Sequence, residues 1–384
     1  MLKNIRFIFA LLLTLTAIYA YSEEPPLRTD LNESVEMIKV GTNLFGADVK
    51  LETTIFKPNG DGPFPVLFIY HGKDLGPTEK QPRSRMTLLA AEMVARGYVV
   101  VFPNARGFSK SSGYNNTERC NIYSEVMDTG KDFRALIEAI KTKNYVNKEQ
   151  VVLMGQSYGG LNVLGTITEP IAGLVLAVNF SGVLNYGNGC NWESALNSSF
   201  GKLGKNAKHD SIWFYGSNDA LMSVDLINKN YELYNATKQQ AKLINFGSFR
   251  ADAHGMFGTL AGFNEIWWPI IKPQLKEKGL PVEVIYPNLQ TVNKVVTPSG
   301  FALASDLDKL PANLNKTCRT FYENVVKYKV SPSAFVISEE GNCGGMGDFD
   351  LDPESWAMAS CKRKPNSKNC KLYLLNGQVV WPTS

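Results

Sequence analysis

Val151-Val152-Leu153-Met154-Gly155-Gln156-Ser157-Tyr158-Gly159-Gly160 decides how this chain is read. Four apolar residues in a row have the character of a strand buried on both faces. The Gly-X-Ser-X-Gly that follows needs a tight strand-to-helix turn, which holds Ser157 in a strained backbone and exposes its hydroxyl. Side chains in place of the glycines would clash at such a turn. The motif is weak by itself. It becomes specific because it follows a buried strand and precedes a helix expected from Tyr158 onward. A Gly-rich turn with an idle serine is the bland alternative.

The same rhythm extends in both directions. Residues 49–57, 65–70, 98–102, 173–180, 211–215 and 241–246 read as further strands, the middle ones continuously apolar. Residues 85–96, 125–143, 224–234 and 261–278 carry helical spacing, the last interrupted near Pro269. Residues 23–47 are polar and weakly patterned. Apolar strands alternating with amphipathic helices predict an α/β fold with a mostly parallel central sheet covered on both faces. That pattern runs from about residue 45 to about 280 and breaks at Gly279-Leu280-Pro281. The remainder holds four of the six cysteines and the Gly-rich Gly341-Asn342-Cys343-Gly344-Gly345. It reads as a small disulfide-braced α+β domain. The expected organisation is a signal peptide over 1–22, a catalytic domain over 23–280 and a C-terminal domain over 281–384.

Composition excludes several classes. Hydrophobic residues make up 44% and charged residues 20% of 384 residues, so the chain is neither disordered nor a coiled coil. The net charge is only +4 and falls further if Lys3 and Arg6 leave with a signal peptide. No dense basic run is present, so no nucleic-acid partner is expected. Lys3 and Arg6 precede an apolar run from Phe7 to Ala20 that Tyr21-Ser22-Glu23-Glu24-Pro25-Pro26 ends. A basic start and a short apolar core are those of an export signal, with cleavage after Ala20 or Ser22. The run is short for a membrane span, and no integral membrane segment is expected after cleavage. Export to the periplasm or medium favours disulfides among Cys120, Cys190, Cys318, Cys343, Cys361 and Cys370. No CxxC pair exists and there are only 3 His, so no metal site is expected. Cys120 and Cys190 both follow sheet strands and are expected to join across the active rim. The simplest pairing for the rest is Cys318 with Cys343 and Cys361 with Cys370.

A serine hydroxyl needs a base. Among the histidines, His209 lies in a polar stretch and is expected to be solvated. His71 ends a strand well before the serine. His254 sits in a polar loop after the last strand and is the candidate base. The orienting carboxylate should follow the strand between the two; Asp219, just after residues 211–215, fills that place better than Asp210 or Asp225. Asp252 is expected to be solvated or a loop acceptor. For the oxyanion, the backbone N–H of Tyr158 is one candidate donor, and that of Lys73 in the loop His71-Gly72-Lys73 is the other. No cofactor is implied.

The chain order Ser157, Asp219, His254 is similar to that of α/β-hydrolases. Together with Gly62-Pro63-Phe64-Pro65, His71-Gly72, Arg96-Gly97-Tyr98-Val99-Val100, Asn104-Ala105-Arg106-Gly107 and the serine turn, it resembles the dienelactone hydrolase and prolyl oligopeptidase branch over roughly residues 45–280. Exported bacterial hydrolases of that branch have a C-terminal extension resembling this one, at Pro298–Ala302, residues 333–337 and Cys361 onward. The resemblance implies a serine hydrolase acting on small-molecule or polymer-borne esters. Dienelactone hydrolases proper use cysteine where this chain has Ser157. Only about 25 residues lie between the expected signal and the first strand, too few for a peptide-selecting propeller, so ester cleavage is favoured over an exported serine peptidase. A vestigial hydrolase-fold binding protein is the other alternative.

Every candidate catalytic residue precedes residue 260, so the C-terminal part is expected to be dispensable for cleaving small esters. Asp348-Phe349-Asp350-Leu351-Asp352 resembles a calcium loop only superficially, lacking the required glycine and distal glutamate, and its acids are expected to be solvated. Trp356, Tyr373 and Trp381 are expected to be core of the small domain more than a binding surface.

Overall fold

The computed structural model describes residues 26–115, 120–185, 190–238, 240–291 and 294–382; the expected signal peptide lies outside them. Eight strands form one sheet: β1 (Ser34–Thr42), β2 (Asp48–Phe56), β3 (Phe64–Tyr70), β4 (Val99–Pro103), β5 (Val146–Gln156), β6 (Leu174–Phe180), β7 (Ser211–Tyr215) and β8 (Ala241–Asn245). Their spatial order is β1-β2-β4-β3-β5-β6-β7-β8. The β1–β2 and β2–β4 pairs are antiparallel, and all pairs from β4 to β8 are parallel. This is the α/β-hydrolase sheet that the resemblance implies.

The continuous apolar runs serve two cores at once, because successive side chains leave a strand on opposite faces. Val66, Phe68 and Tyr70 of β3 and Val151 and Leu153 of β5 enter one core. It is closed by helices α2 (Ile122–Lys141), α3 (Tyr158–Thr166), α4 (Trp192–Asn206) and α5 (Val224–Asn235). Leu67, Ile69, Val152 and Met154 enter the other, beneath α1 (Thr87–Val94) and α6 (Trp268–Glu277). A π-helical segment, Gly262–Trp267, precedes α6 where a helix from residue 261 was expected to be interrupted.

Two elements differ from the sequence expectation. The stretch taken as weakly patterned contains the edge strand β1, whose Val35 and Met37 face solvent, so the alternation that marks a half-buried strand is blurred. Helix α4 buries Leu196, Phe200 and Leu203 at helical spacing, but Ser, Asn and Gly dilute the pattern. The chain past the expected boundary at 280 stays with the large core: Leu280, Val282 and Leu289 pack beneath α1 and α6, and Ile285 and Tyr286 donate backbone N–H to Ala95 O.

A second, four-stranded antiparallel sheet follows, in the order β10-β9-β11-β12. Its strands are β9 (Ala334–Ile337), β10 (Cys343–Met346), β11 (Lys371–Leu375) and β12 (Gln378–Val379), packed with α7 (Lys316–Lys327) and α8 (Pro353–Lys362). Tyr373 is fully buried in this smaller core with Trp381 against it. Disulfides join Cys318 to Cys343 and Cys361 to Cys370, the pairs expected above. Cys120 joins Cys190, and the next residues, Asn121 and Asn191, cap α2 and α4 through their side chains. The bond therefore ties two helix N-termini together at the sheet's C-terminal rim.

Candidate active site

Ser157 stands between the last residue of β5 and the first of α3, with φ 60° and ψ −123°. A non-glycine residue held there costs on the order of 1–3 kcal/mol, which the surroundings must over-determine. They do: Ser157 N–H donates to Phe180 O at 2.9 Å, and Ser157 O accepts from Leu161 and Val183 N–H. Gly159 lies so close to the carbonyls of Tyr70 and His71 that a Cβ there has no room. That close approach brings the end of β3, and with it the loop at Gly72, against the serine. A Cβ added to Gly72 would stand 3.4 Å from Ser157 Cβ and 3.1 Å from Gln156 Oε1. Lys73 follows in that loop, and Tyr158 N–H belongs to the first turn of α3, whose donors lack intrahelical acceptors.

The loop after β3 is held by His71. Its Nε2 accepts from Ala105 N–H at 2.9 Å, and its Nδ1 lies 2.6 Å from Gly72 O. Those partners require the neutral ring protonated on Nδ1. Burial pushes the His71 pKa below its ordinary value, the Gly72 carbonyl opposing. Phe108 packs on this ring at 4.6 Å and stacks on buried Tyr158, whose hydroxyl meets Thr129 and Asn115. His71 thus supports the loop and is occupied at both nitrogens. His209 is not simply solvated: its Nε2 accepts from Ile171 N–H at 2.9 Å, and burial lowers its pKa.

Asp219 follows β7 with a fully buried carboxylate. Leu221 and Met222 N–H donate to its Oδ1, and His254 Nδ1 lies 3.1 and 3.0 Å from its two oxygens. With Nδ1 donating to Asp219, Nε2 is the accepting nitrogen of the neutral imidazole. His254 occupies a 3-10 turn, Ala253–Gly255. Asp252 orders this turn by accepting from His254 and Ala220 N–H, which joins the histidine loop to the Asp219 loop. Asn218 adds a second tie, donating to Arg250 O and accepting from Phe249 N–H. The third tie reaches the serine: Gln156 Nε2 donates to His254 O at 2.8 Å. Nothing in the sequence marks Gln156 for this, since the position between glycine and serine in the motif is free.

The C-terminal part also reaches the site. Arg250, four residues before His254, forms a bidentate pair with Asp348 at 2.8 Å on both arms. Leu351 N–H donates to Thr87 Oγ1, and Asp350 accepts from Trp356 Nε1 and Asp352 N–H. Asp348 and Asp350 are buried, which corrects the expectation of a solvated acidic loop. Their carboxylates are engaged by protein groups, and the described residues hold no cluster of metal-ligating type.

A cavity of about 280 Å³ opens beside the serine turn, lined in part by His71, Gly72, Gln156, Phe349 and Trp356. A larger one, about 840 Å³, lies between the β1–β2 turn and the start of α2 and includes Arg106, Asp128 and Asp132. Neither lining includes Ser157, Asp219 or His254; the smaller one includes Gly72 and Gln156, which adjoin Ser157. No helix among the described residues is long and apolar enough to cross a membrane.

Residues 46–199 match the X-Pro dipeptidyl-peptidase (S15 family). The quorum-quenching protein AidA of Acinetobacter baumannii (strain MDR-ZJ06) is 30% identical over 119 residues, 31% of this chain and 36% of its own length. The chain therefore matches about a third of that relative. Among solved structures, Pyrococcus furiosus esterase Pf2001 superposes with a TM-score of 0.44 at 16% identity, over 66% of this chain and 96% of that one. Thermogutta terrifontis esterase 2 with propionate bound gives 0.45 at 19%, over 67% and 99%. Porphyromonas gingivalis dipeptidyl peptidase 4 gives 0.42 at 18%, over 56% and 32%.

Proposed function

We propose that this serine hydrolase of the α/β-hydrolase superfamily cleaves carboxylic esters through an acyl-enzyme on Ser157. The observation that carries the reading is the linkage of three loops: Asp219 holds His254 Nδ1, and Gln156, next to Ser157, holds the His254 backbone. In the reaction, His254 Nε2 takes the Ser157 proton as Oγ attacks the ester carbonyl carbon. Asp219 stabilises the imidazolium that results. The backbone N–H groups of Tyr158 and Lys73 receive the developing oxyanion. The imidazolium then protonates the departing alcohol. A water molecule, deprotonated by His254, releases the acid and restores Ser157.

A peptidase reading is favoured by one observation, the match of residues 46–199 to the S15 family. The expected export signal over 1–22 and the three disulfides support residence in an oxidising compartment, periplasmic or extracellular.

The experiment pairs a fluorophosphonate probe with two substrate panels, p-nitrophenyl esters and Xaa-Pro-p-nitroanilides. Ester turnover and probe labelling that both vanish in Ser157→Ala are expected, the loss being on the order of 10⁴-fold or more in kcat. Turnover of the anilides with esters left intact transfers the assignment to the peptidase. Labelling that persists in Ser157→Ala removes Ser157 as the nucleophile.

A further inference from the structure

We infer that the cavity beside the serine turn is a substrate subsite whose lining is built in part by the C-terminal part of the chain, and that it takes an aromatic or short apolar group. The inference rests on the esterase reading and adds to it where substrate selectivity is set.

The lining includes Gly72, which stands against Ser157, and Gln156, which precedes it in the chain. It also includes Met346, Phe349 and Trp356 of the C-terminal part. Aromatic and thioether surfaces present flat, polarisable walls that favour rings and short chains. Among the charged groups of the lining are Asp74, Arg83, Arg85 and Asp350. Glu33, buried, receives Arg83 at 2.8 Å and Arg85 at 2.7 Å. Asp350 is committed to Trp356 Nε1 and Asp352 N–H, and burial pushes its pKa up. The volume also fits: a dry cavity of roughly 150 Å³ takes benzene, and this one is about 280 Å³, room for a ring and a short linker.

The wall is anchored to the catalytic loops. Asp348 grips Arg250 of the histidine loop, and Leu351 N–H is bonded to Thr87 at the start of α1. Phe349 fits against Gly258, where a Cβ would stand 2.8 Å from its ring. The C-terminal part was expected to be dispensable for small esters; the Arg250–Asp348 pair ties it to the histidine loop, and the subsite concerns which esters are preferred.

The test uses the full chain, with Phe349→Ala, Phe349→Leu and Met346→Ala variants whose folding is checked by thermal unfolding. Two ratios of kcat/KM are measured. One compares p-nitrophenyl phenylacetate with the acetate, varying the acyl group. The other compares benzyl acetate with ethyl acetate, varying the alcohol. Calorimetric binding of phenylacetamide gives a readout that needs no turnover. The wild type is expected to prefer the aryl member in one series. Phe349→Ala should lower that ratio about 10-fold or more and weaken phenylacetamide by a similar factor, while fluorophosphonate labelling continues. Phe349→Leu, which keeps an apolar group against Gly258, should fall between. Phenylacetamide binding that is lost in Phe349→Ala, in a protein with no ester turnover, supports the cavity and removes the esterase reading. Ratios and binding unchanged in all three folded variants overturn the subsite.

Discussion

The pair Arg250–Asp348 is the strongest polar link between the C-terminal part and the histidine loop, and its two halves are unequally buried. The Asp348 side chain is 1% exposed and that of Arg250 is 19% exposed. Removing one partner of a buried pair leaves the other charged without compensation, at about 3–5 kcal/mol. Asp348→Ala leaves a guanidinium that is partly wetted and still lies over the Phe249 ring at 4.9 Å. Its cost should fall near the lower end or below it, about 2 kcal/mol. Arg250→Met keeps the apolar stem but strands a carboxylate with almost no access to water. Arg250→Met should therefore cost more than Asp348→Ala, within the range of about 3–5 kcal/mol. The pair of substitutions together should cost well under the sum, since no lone charge remains. Urea unfolding at several pH values measures all three variants. Loss of the link should also lower kcat on p-nitrophenyl acetate more than it raises KM, because His254 is only four residues from Arg250. An Arg250→Met variant less destabilised than Asp348→Ala, or strict additivity in the double variant, would refute the burial argument.

Two further outcomes are expected. Replacing Cys120 and Cys190 by Ala opens a crosslink spanning 70 residues, worth about 4 kcal/mol in loop entropy, and the midpoint of urea unfolding should fall accordingly, whereas opening Cys361–Cys370, 9 residues apart, should cost about 2.6 kcal/mol; equal losses would argue against the entropic origin. His71 and His209 both have pKa values lowered by burial from an ordinary 6.5, so the folded state resists their protonation. Their contribution to stability is present above about pH 6.5 and is lost as the pH falls through their folded values, by up to about 1.4 kcal/mol per pH unit for buried His71 and by less for the partly exposed His209. A His71→Gln, His209→Gln chain should show a flatter profile on the acid side; an unchanged slope would contradict the burial of the two rings.

What the sequence conveyed about the fold was the part written in continuous apolar runs. Residues 65–70 of β3, all of β4 and residues 151–155 of β5 are buried on both faces, so each is constrained, and the runs 65–70, 98–102 and 151–154 are unmistakable. β1 escaped because an edge strand with one wet face needs few apolar residues, and Val35 and Met37 are exposed even so. α4 escaped because close approach selects small residues over helix formers: Gly204 packs directly on the Tyr234 backbone, where a side chain has no room. The helix is maintained by its tertiary partner more than by its own propensity.

The same distinction separates what was readable in the candidate site from what was not. Ser157, Asp219 and His254 are legible because each follows a strand, and strand ends are placed by the sheet. The C-terminal contribution has no such frame. Asp348-Phe349-Asp350-Leu351-Asp352, read along the chain, is a polar run with two apolar residues, and solvation is the natural expectation for its acids. In space each residue has a separate partner on the large domain or its own helix: Arg250 for Asp348, Gly258 for Phe349, Trp356 for Asp350, Thr87 for Leu351. Those partners are about 90 to 260 positions away for all but Trp356, so no periodicity or local motif links them. A contact of that sequence separation is created only when two finished surfaces meet, and the information for it is divided between both. The missing glycine that argued against a calcium loop carried no hint of what the acids bond to. Burying two carboxylates requires donors brought from elsewhere, and an arginine loop, an indole N–H and a helix N-terminus supply them. The chain spends those donors beside the histidine that the site depends on, which is why the segment belongs to the chemistry of the site although it contains none of its candidate catalytic residues.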